Sequence, residues 1–540
     1  MKFSVYLGLF LAALFVGCGA AYLEKAPGYM DAEYYYSGGL RLVQGSGFTE
    51  PFLWNYLDDP AGIPHPSHTY WMPLASLVAA AGMVVSGQAN FTGGRIFFIL
   101  LAGLIAPLTA GLAFRLSKRV SFALLAGVVA IFSGYYLPFI TDTETFTLYI
   151  VLGILFMLVA FPEGRAAEGK MAAVRPFILG VIAGGMHLTR ADGVLWLAAA
   201  AALVGWDAFS RLKKPDGTPI QRELLLSAWL LLSLLIGYGL VMGAWYARNI
   251  ALFGSLFSPG GAKTLWLTNY DQTFIYPANQ LTLQNWAALG LGSHIKIWWA
   301  ALVWNLENTL AVQGEIFLFL LILPGLWVLR REKMVRFAVG MWAVTLGIMT
   351  FVFPFAGSRG GFLHSASAVQ PVLWAAVPCG LEAFVNLGVR LRRWNAKKSW
   401  PVFAVIVGGF CVLFSVVLLW SRVVGPDLAE PIWSQSDRQY LAVAAALRDL
   451  GAGPQNRVLV NNPPGYYLAS GSEALVIPDG DVSTLLSAAK QYGADYLVLE
   501  PNHVAGLDTL YSHPGSLPGL FYLGKVGEKV CIYRIVIRTN

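Results

Sequence analysis

The chain has 540 residues, of which 56% are hydrophobic and only 12% are charged, whereas soluble domains contain about 45–50% apolar and about 25% charged residues. Together with a mean hydropathy of +0.59, this composition excludes a disordered chain, a coiled coil and a purely soluble enzyme. The net charge of +7 does not predict a nucleic-acid partner, because the excess does not form a basic face on a soluble domain.

The basic residues are concentrated between long apolar runs, which is the arrangement of a membrane protein with several spans. Of the 37 Lys and Arg residues, 20 are either Lys2 or belong to five short segments: 115–119, 165–175, 211–222, 330–336 and 390–398. Short loops rich in Lys and Arg lie on the cytoplasmic side of a membrane. We therefore expect these segments to be cytoplasmic and the protein to lie in the plasma membrane.

Residues 1–425 are predicted to form an α-helical membrane domain with about 11–13 spans. Residues 4–22 form either an uncleaved first span or a signal peptide. The other candidate spans are near 71–88, 95–114, 121–138, 145–162, 176–190, 193–209, 223–245, 315–330, 337–355, 365–387 and 401–421.

The segment 23–70 is predicted to be the first external loop, because it carries six acids and only two bases. An odd number of crossings should then separate it from the basic segment 115–119, but the chain offers two candidates, 71–88 and 95–114. Either one of these two does not fully cross the membrane, or the basic segment is not cytoplasmic.

The last part of the chain, 433–540, has shorter apolar runs and more polar residues. The runs at 457–462, 474–478 and 495–500 predict strands, and 481–493 predicts a capped amphipathic helix. Alternating strands and helices indicate a small α/β domain with a mainly parallel sheet. The alternation of basic loops places the C-terminus outside, so we expect this domain to be extracytoplasmic.

Polar residues follow each of these strands, in the loops 461–467, 478–481 and 500–503. Ligands often bind at the carboxyl edge of a parallel sheet. Turn formation explains most of these residues equally well, so the loops predict a binding role rather than catalysis.

Acidic residues occur near the outer ends of two predicted helices. Asp31 and Glu33 follow the first span by a few residues, and Asp142 and Glu144 precede the span near 145–162. Carboxylates at this depth could act as acid or base at the membrane surface, and those of both pairs together could hold a divalent cation. The alternative is helix capping, since acids stabilise helix N-termini.

Two histidines, His65 and His68, stand directly before an apolar segment in the motif PHPSHTYWMP. They could orient a polar substrate or bind a metal ion. The alternative is that they are surface histidines without either role.

Three arginines stand close to apolar segments on the side predicted to be external: Arg190, Arg248 and Arg359. A charge beside hydrocarbon costs a few kcal/mol unless it is paired, so each is a functional candidate. Arginine also suits bidentate binding of phosphate. The alternatives are an ion pair between Arg190 and Asp192 and extension of the side chains to the membrane surface.

The order of these motifs resembles that of the GT-C superfamily of membrane glycosyltransferases, in particular bacterial protein O-mannosyltransferases and aminoarabinose transferases. The resemblance covers roughly residues 1–390 and includes GGMHLTRADGVL at 184–195 and WYARNIALFGSLFSP at 245–259. Asp31 matches the first-loop acid that these enzymes use as a catalytic base or for substrate binding.

Two further motifs are similar to those of the superfamily but not identical. PHPSHTY is similar to its His-Pro-Pro element, with Ser67 at the position of the second proline. TDTETFTLY is similar to its Thr-Asp-x-Pro helix start, without the proline, and either Asp142 or Glu144 takes the place of the acid.

The resemblance implies an inverting glycosyltransferase that moves a hexose or pentose from a polyprenyl phosphate to a glycan, lipid or protein acceptor outside the cytoplasm. It implies that Asp31 is the catalytic base and that an Mg or Mn ion is held by Asp142 or Glu144. The substrate-binding residues would be Glu33, His65, His68, Arg190, Arg248 and Arg359. Membrane lipids are expected partners, and nucleic acids are not.

Two other classes of function remain open. A lipid or polysaccharide transporter should contain polar residues at mid-span and inverted repeats, and the sequence shows no clear repeat. A sensory protein with a ligand-binding outer domain would leave the outer acids and arginines without a use. A glycosyltransferase should instead bring Asp31, an acid of the 142–144 segment and at least one arginine into one outward-facing cavity.

Overall fold

The computed structural model describes residues 1–163, 169–212 and 219–537, and parts of the basic segments 165–175 and 211–222 lie outside this description. The described chain is mostly helical, with a mixed sheet built largely from the C-terminal region. The helices of the first 425 residues that exceed eight residues are Phe3–Leu23, Met30–Val43, Leu74–Ser86, Ile96–Ser117, Val120–Ile131, Thr145–Ala160, Gly169–Thr189, Val194–Leu212, Ile220–Phe253, Leu291–Asn308, Phe319–Val328, Lys333–Phe351, Gln370–Arg392 and Ala396–Leu419.

Among the described residues, twelve apolar helices correspond one to one with the twelve predicted spans. By length and composition, seven are able to cross a membrane: Phe3–Leu23, Phe91–Ser117, Ala191–Leu212, Ile220–Phe253, Lys333–Phe351, Pro354–Arg392 and Ala396–Val424. Five apolar helices are shorter: Leu74–Ser86, Val120–Ile131, Thr145–Ala160, Ala173–Thr189 and Phe319–Val328. The prediction of an α-helical protein with many spans is confirmed.

The lengths of the helices between residues 71 and 119 explain why the predicted number of membrane crossings there does not agree with the charge pattern. Leu74–Ser86 has 13 residues and is therefore about 20 Å long, which is too short for about 30 Å of hydrocarbon. Ile96–Ser117 has 22 residues, or about 33 Å. The short helix packs on the first-loop helix, Met30–Val43, so closely that a Cβ on Gly39 would lie 2.9 Å from that of Ala79. By length, Ile96–Ser117 is able to cross the membrane and Leu74–Ser86 is not, which agrees with a single crossing between the first loop and segment 115–119.

The C-terminal sheet has six strands in the order Phe52–Leu53, Ala474–Val476, Arg457–Val460, Ala494–Leu499, Val530–Ile535 and Leu520–Val526. The first four strands are parallel, and the last two add an antiparallel hairpin. The predicted strands are therefore present, and their continuous apolar runs are typical of parallel strands covered on both faces.

The first loop is part of this C-terminal sheet. Its segment Phe52–Leu53 pairs in parallel with Ala474 and Leu475 at the sheet edge. Tyr34 of the first-loop helix shares a buried hydrophobic cluster with Tyr440 of the C-terminal region. The helices that follow residue 433 are Gln435–Asp449, Pro463–Ser470, Val482–Tyr492 and Asp508–Ser512. The first loop therefore lies between the membrane helices and the C-terminal region.

Candidate active site

A cavity of about 660 Å³, called the central cavity below, lies between the first loop and the ends of several membrane helices. Its polar wall includes Asp31, Tyr35, Tyr70, Arg190, Asp192, Tyr270, Arg359 and His364. Its apolar wall includes Leu195, Trp245, Leu256, Phe257, Ile348, Met349, Val352 and Phe353. One cavity thus combines a charged end with a surface suited to a hydrophobic chain.

The first-loop helix places Asp31 at the cavity wall and turns Glu33 away from it. The chain enters the helix through Gly28, whose φ is +77°, and extended Tyr29, and both acids lie in the first turn. This position favours carboxylates, because the positive end of the helix dipole is here. Two residues correspond to about 200° around a helix, so the two side chains project to opposite sides. Glu33 is buried against Asn462 of the C-terminal region and does not belong to the lining residues, so this geometry does not support the expectation that it binds the substrate.

Asp31, Glu144 and His364 form a cluster in which one ligand atom from each residue lies within 4.8 Å of the others. His364 Nδ1 is 3.4 Å from Glu144 Oε1, and the imidazole stacks on Phe146 with 3.9 Å between ring centroids. Glu144 caps the helix Thr145–Ala160 by accepting a hydrogen bond from the first backbone N–H. Two carboxylates and one imidazole are a donor set that fits a divalent cation.

Burial and mutual repulsion change the acidity of the two carboxyl groups. The pKa of Asp31 is raised to about 8, mainly by burial and also by the nearby charge of Glu144, while the charge of Arg190 opposes the shift. Burial also raises the pKa of Glu144, although hydrogen bonds from Thr145 lower it. Two carboxylates this close favour the sharing of a proton or of a cation.

Two of the three predicted arginines line the central cavity. Arg190 Nε donates to Asp192 Oδ1 at 3.0 Å, and its Nη2 donates to the Gly361 carbonyl oxygen at 3.4 Å. The Arg359 guanidinium lies over the Tyr270 ring, 4.5 Å from its centroid. The ion pair of Arg190 with Asp192, the alternative to a functional role, is therefore present, and Arg190 also lies on the cavity wall.

Arg248 lies behind the wall and does not belong to the lining residues. Its Nη2 donates to the Ser67 carbonyl oxygen at 2.6 Å, and the guanidinium lies 4.5 Å from the centroid of the Trp245 ring. Its position indicates that it holds the 67–68 loop, and this geometry does not support the expectation that Arg248 contacts the substrate directly.

The two histidines are also away from the cavity wall. His65 lies between two acids, 3.1 Å from Asp58 and 3.5 Å from Glu50. Burial lowers the pKa of His65, but the bonds and charges of both acids outweigh burial and raise it to about 9. His68 is buried between Ser67 and Ser76. The expectation that His65 and His68 orient the substrate is not supported by this geometry.

Burial, together with the nearby charge of Arg248, lowers the pKa of His68 to about 3. His68 is therefore neutral at physiological pH, whereas His65 is charged. Both histidines have partners within the protein, which identifies them as structural elements of the first loop.

Asp142 does not join the cluster around Asp31. It is fully buried and accepts a hydrogen bond from the Thr143 backbone N–H at 2.6 Å. Its charged neighbours include Glu24 and Arg95, which lie 3.8 Å apart. Between the two acids that the motif left open, the structure brings Glu144 to Asp31 and places Asp142 elsewhere.

His364 is the member of the cluster that sequence reasoning missed. It follows the glycine-rich segment 357–361, where a kink with Gly360 at φ +114° interrupts the helix. The only available signal was its position five residues after Arg359. The kink brings both side chains to the wall of the same cavity.

Comparison with solved structures identifies the fold. ArnT from Cupriavidus metallidurans bound to undecaprenyl phosphate is 13% identical, with 99% of each chain covered and a TM-score of 0.53. A second similar structure is the archaeal oligosaccharyltransferase AglB from Archaeoglobus fulgidus, in complex with an inhibitory peptide and a dolichol-phosphate. It is 12% identical and has a TM-score of 0.50, and the match covers 97% of this chain and 74% of that chain. No protein-family model and no curated protein matches the chain.

Both of these structures belong to the GT-C superfamily. The chain therefore has the fold of the GT-C membrane glycosyltransferases, with an α/β region at its C-terminus. The fold expected from the order of the sequence motifs is confirmed.

Proposed function

We propose that the protein is an inverting glycosyltransferase that moves a sugar from a polyprenyl-phosphate donor to an acceptor at the outer face of the membrane. The observation that carries this proposal is that Asp31, Arg190, Arg359 and His364 line one cavity with an apolar wall, and that Glu144 lies beside Asp31 and His364. A carboxylate, two guanidinium groups and a hydrophobic surface match the acceptor hydroxyl, the phosphate and the lipid of such a reaction.

The identity of the donor is supported by the shape and chemistry of the central cavity. Its apolar side includes Leu256, Phe257 and Phe353, which suit a polyprenyl chain, and its charged side holds Arg190 and Arg359, which suit a phosphate. ArnT and AglB have been solved with undecaprenyl phosphate and dolichol-phosphate, respectively. We therefore propose that the donor sugar of this protein is also linked to a polyprenyl phosphate. The acceptor is a glycan, a lipid or a protein.

In the proposed step, the ionised form of Asp31, which the neighbouring charge of Arg190 favours, accepts the proton of the acceptor hydroxyl while the hydroxyl oxygen attacks the anomeric carbon. The bond between that carbon and the phosphate oxygen breaks, and the polyprenyl phosphate leaves with the electron pair. Attack opposite to the leaving group inverts the anomeric centre. Arg190 and Arg359 stabilise the negative charge that develops on the phosphate.

Asp31, Glu144 and His364 are the residues that would hold a divalent cation such as Mg or Mn. When bound, such a cation would supply positive charge for the phosphate of the donor. The Glu144 side chain is held by the cap of its own helix and by Thr145. This support orients the carboxylate toward Asp31 before any ligand arrives.

The side of the membrane follows from the basic segments and the loop acids. With the Lys/Arg-rich segments in the cytoplasm, the first loop, the cavity end that holds Asp31 and the C-terminal region would face outward. We propose this orientation for a plasma-membrane enzyme whose partners are the lipid-linked donor and membrane lipids.

The experiment is to incubate the purified protein in nanodiscs with a panel of polyprenyl-phosphate sugars and candidate acceptors. Release of polyprenyl phosphate is followed with and without a chelator. We expect release with at least one donor, together with an inverted sugar linkage. Movement of intact lipid-linked sugar across the bilayer without cleavage would overturn the proposal and support a transporter.

A further inference from the structure

We propose that the C-terminal region holds the catalytic carboxylate in position, and that Asn462 is the positioning residue that acts through Glu33. This inference rests on the proposed function of Asp31. It assigns a role to Glu33, which the proposed reaction does not use. Three contacts between the first loop and the C-terminal region carry it.

The first contact is a buried hydrogen bond. Glu33 is 2% exposed, and its Oε2 accepts a hydrogen bond from Asn462 Nδ2 at 2.6 Å. The orientation of the Asn462 amide is determined by its other atom, because Oδ1 caps the helix Pro463–Ser470 by accepting a bond from Gly465 N at 3.2 Å. The amide N–H₂ must therefore face Glu33.

The backbone of the C-terminal region also approaches the Glu33 carboxylate closely. A Cβ on Gly465 would lie 2.8 Å from Glu33 Oε2 and 2.9 Å from Oε1. No larger residue fits there without moving the carboxylate. Among the described residues, Asn462 is the only side chain that donates a hydrogen bond to Glu33.

The second contact involves residues that precede Asp31 in the sequence. A Cβ on Gly28 would lie 2.4 Å from Trp433 Nε1, and the rings of Tyr29 and Trp433 pack edge to face with centroids 5.6 Å apart. The third contact is the pairing of Phe52 with Ala474 in the sheet. The first turn of the first-loop helix is thus held before and after Asp31, which fixes its depth and its rotation.

Holding this turn matters because general-base catalysis depends on the position of the base. A displacement of about 1 Å can lower a rate about 100-fold. The charges of Asp437 and Glu500 in the C-terminal region repel the Glu33 carboxylate, and the hydrogen bond from Asn462 opposes this repulsion. Burial raises the pKa of Glu33 to about 7, and the hydrogen bond from Asn462 opposes that shift.

The test exchanges the two partners of the hydrogen bond. Asn462→Asp places a second carboxyl against Glu33 and should lower kcat for sugar transfer about 10- to 100-fold, with the KM for the donor unchanged. Glu33→Gln keeps an acceptor for Asn462 and should stay within about threefold of the wild type. The double variant E33Q/N462D restores a donor and an acceptor and should recover most of kcat. Asn461→Asp adds the same charge one residue earlier and should match the wild type.

Hydrogen exchange at residues 28–36 provides a readout that does not depend on activity. N462D should increase exchange there, and E33Q/N462D should reverse the increase. If the wild type transfers sugar and N462D has wild-type kcat, or if the double variant recovers neither kcat nor protection, the positioning role is wrong. If the wild type transfers no sugar from any donor, the proposed function is wrong, and the exchange data then show separately whether Asn462 holds the helix.

Discussion

Arg190 and Asp192 form an ion pair on the wall of the central cavity, with 3.0 Å between Nε and Oδ1. The second carboxylate oxygen of Asp192 accepts a hydrogen bond from Tyr149 OH at 3.1 Å. The aspartate therefore orients the guanidinium and is itself held by a neighbouring helix. The ion pair that the sequence offers as one alternative is therefore present, and both residues also line the cavity.

Arg190→Gln should lower the rate of sugar transfer about 10²- to 10³-fold, the range seen when a donor to a developing anion is removed. It should also weaken binding of free polyprenyl phosphate, which can be measured by titration with the protein in nanodiscs. Arg248→Gln is the matched control, because Arg248 is not a lining residue of the cavity. Equal phosphate affinity in the wild type and in Arg190→Gln would contradict the assigned role.

Metal binding should distinguish the two acids of the TDTET segment. Glu144→Gln and His364→Ala each remove one ligand atom of the cluster with Asp31, and we expect each to weaken Mn²⁺ binding at least about tenfold. Asp142→Asn should leave the affinity unchanged, since Asp142 lies outside the cluster. Titration with detection of free Mn²⁺ by electron paramagnetic resonance gives the three constants. A loss of affinity confined to Asp142→Asn would reverse the assignment.

His65 should make the stability of the first loop dependent on pH. Burial lowers its pKa, but Asp58 and Glu50 together raise it to about 9, against an ordinary value of 6.5. A raised folded-state pKa gives stabilisation that is complete below pH 6.5 and is lost as pH rises through 9, worth about 3 kcal/mol at most. The difference in unfolding temperature between the wild type and His65→Gln should therefore be largest near pH 6 and small above pH 9. A difference that grows with pH would show that His65 is not the charged partner.

Close packing of two membrane helices gives a prediction about stability. Gly237 of the helix Ile220–Phe253 faces the neighbouring helix so closely that a Cβ would lie 2.1 Å from the Phe177 carbonyl oxygen, whereas Gly239 has nothing within 4 Å. Small residues permit such backbone contact between membrane helices. Gly237→Ala should lower the unfolding temperature, and Gly239→Ala should preserve or raise it, because alanine favours helix by about 1 kcal/mol. Equal effects of the two substitutions would contradict this packing.

Long apolar runs and alternating patterns predict elements that the structure contains. Twelve predicted spans correspond to twelve apolar helices, and the runs at 457–462, 474–478 and 495–500 contain the parallel strands of the C-terminal sheet. Such signals are local. A helix or strand that is buried on one face repeats its apolar residues with its own period, and one that is buried on all sides is a continuous apolar run. The strand Phe52–Leu53 has only two residues, too few to show any period.

The residues of the site were predictable only in part, because the folded chain determines which partners they meet. Asp31, Arg190 and Arg359 could be proposed, because an ionisable group beside hydrocarbon needs either a partner or a function. His65 and Arg248 meet the same criterion, and their partners Asp58 and the Ser67 carbonyl become known only when the loop folds. His364 gives no signal of its own before the kink at Gly360 turns it toward Glu144.

The central claim is that Asp31 is the base for sugar transfer, and Asp31→Asn tests it most directly. The variant and the wild type are compared in nanodiscs for the initial rate of polyprenyl-phosphate release with the donor that the panel identifies. Asp59→Asn is the control, because Asp59 is an exposed acid of the same loop at φ +51°, a conformation that asparagine tolerates.

We expect Asp31→Asn to lower the rate by about 10²- to 10⁴-fold while its unfolding temperature stays close to that of the wild type, and we expect Asp59→Asn to keep full activity. An Asp31→Asn variant that transfers sugar at the wild-type rate would contradict the account.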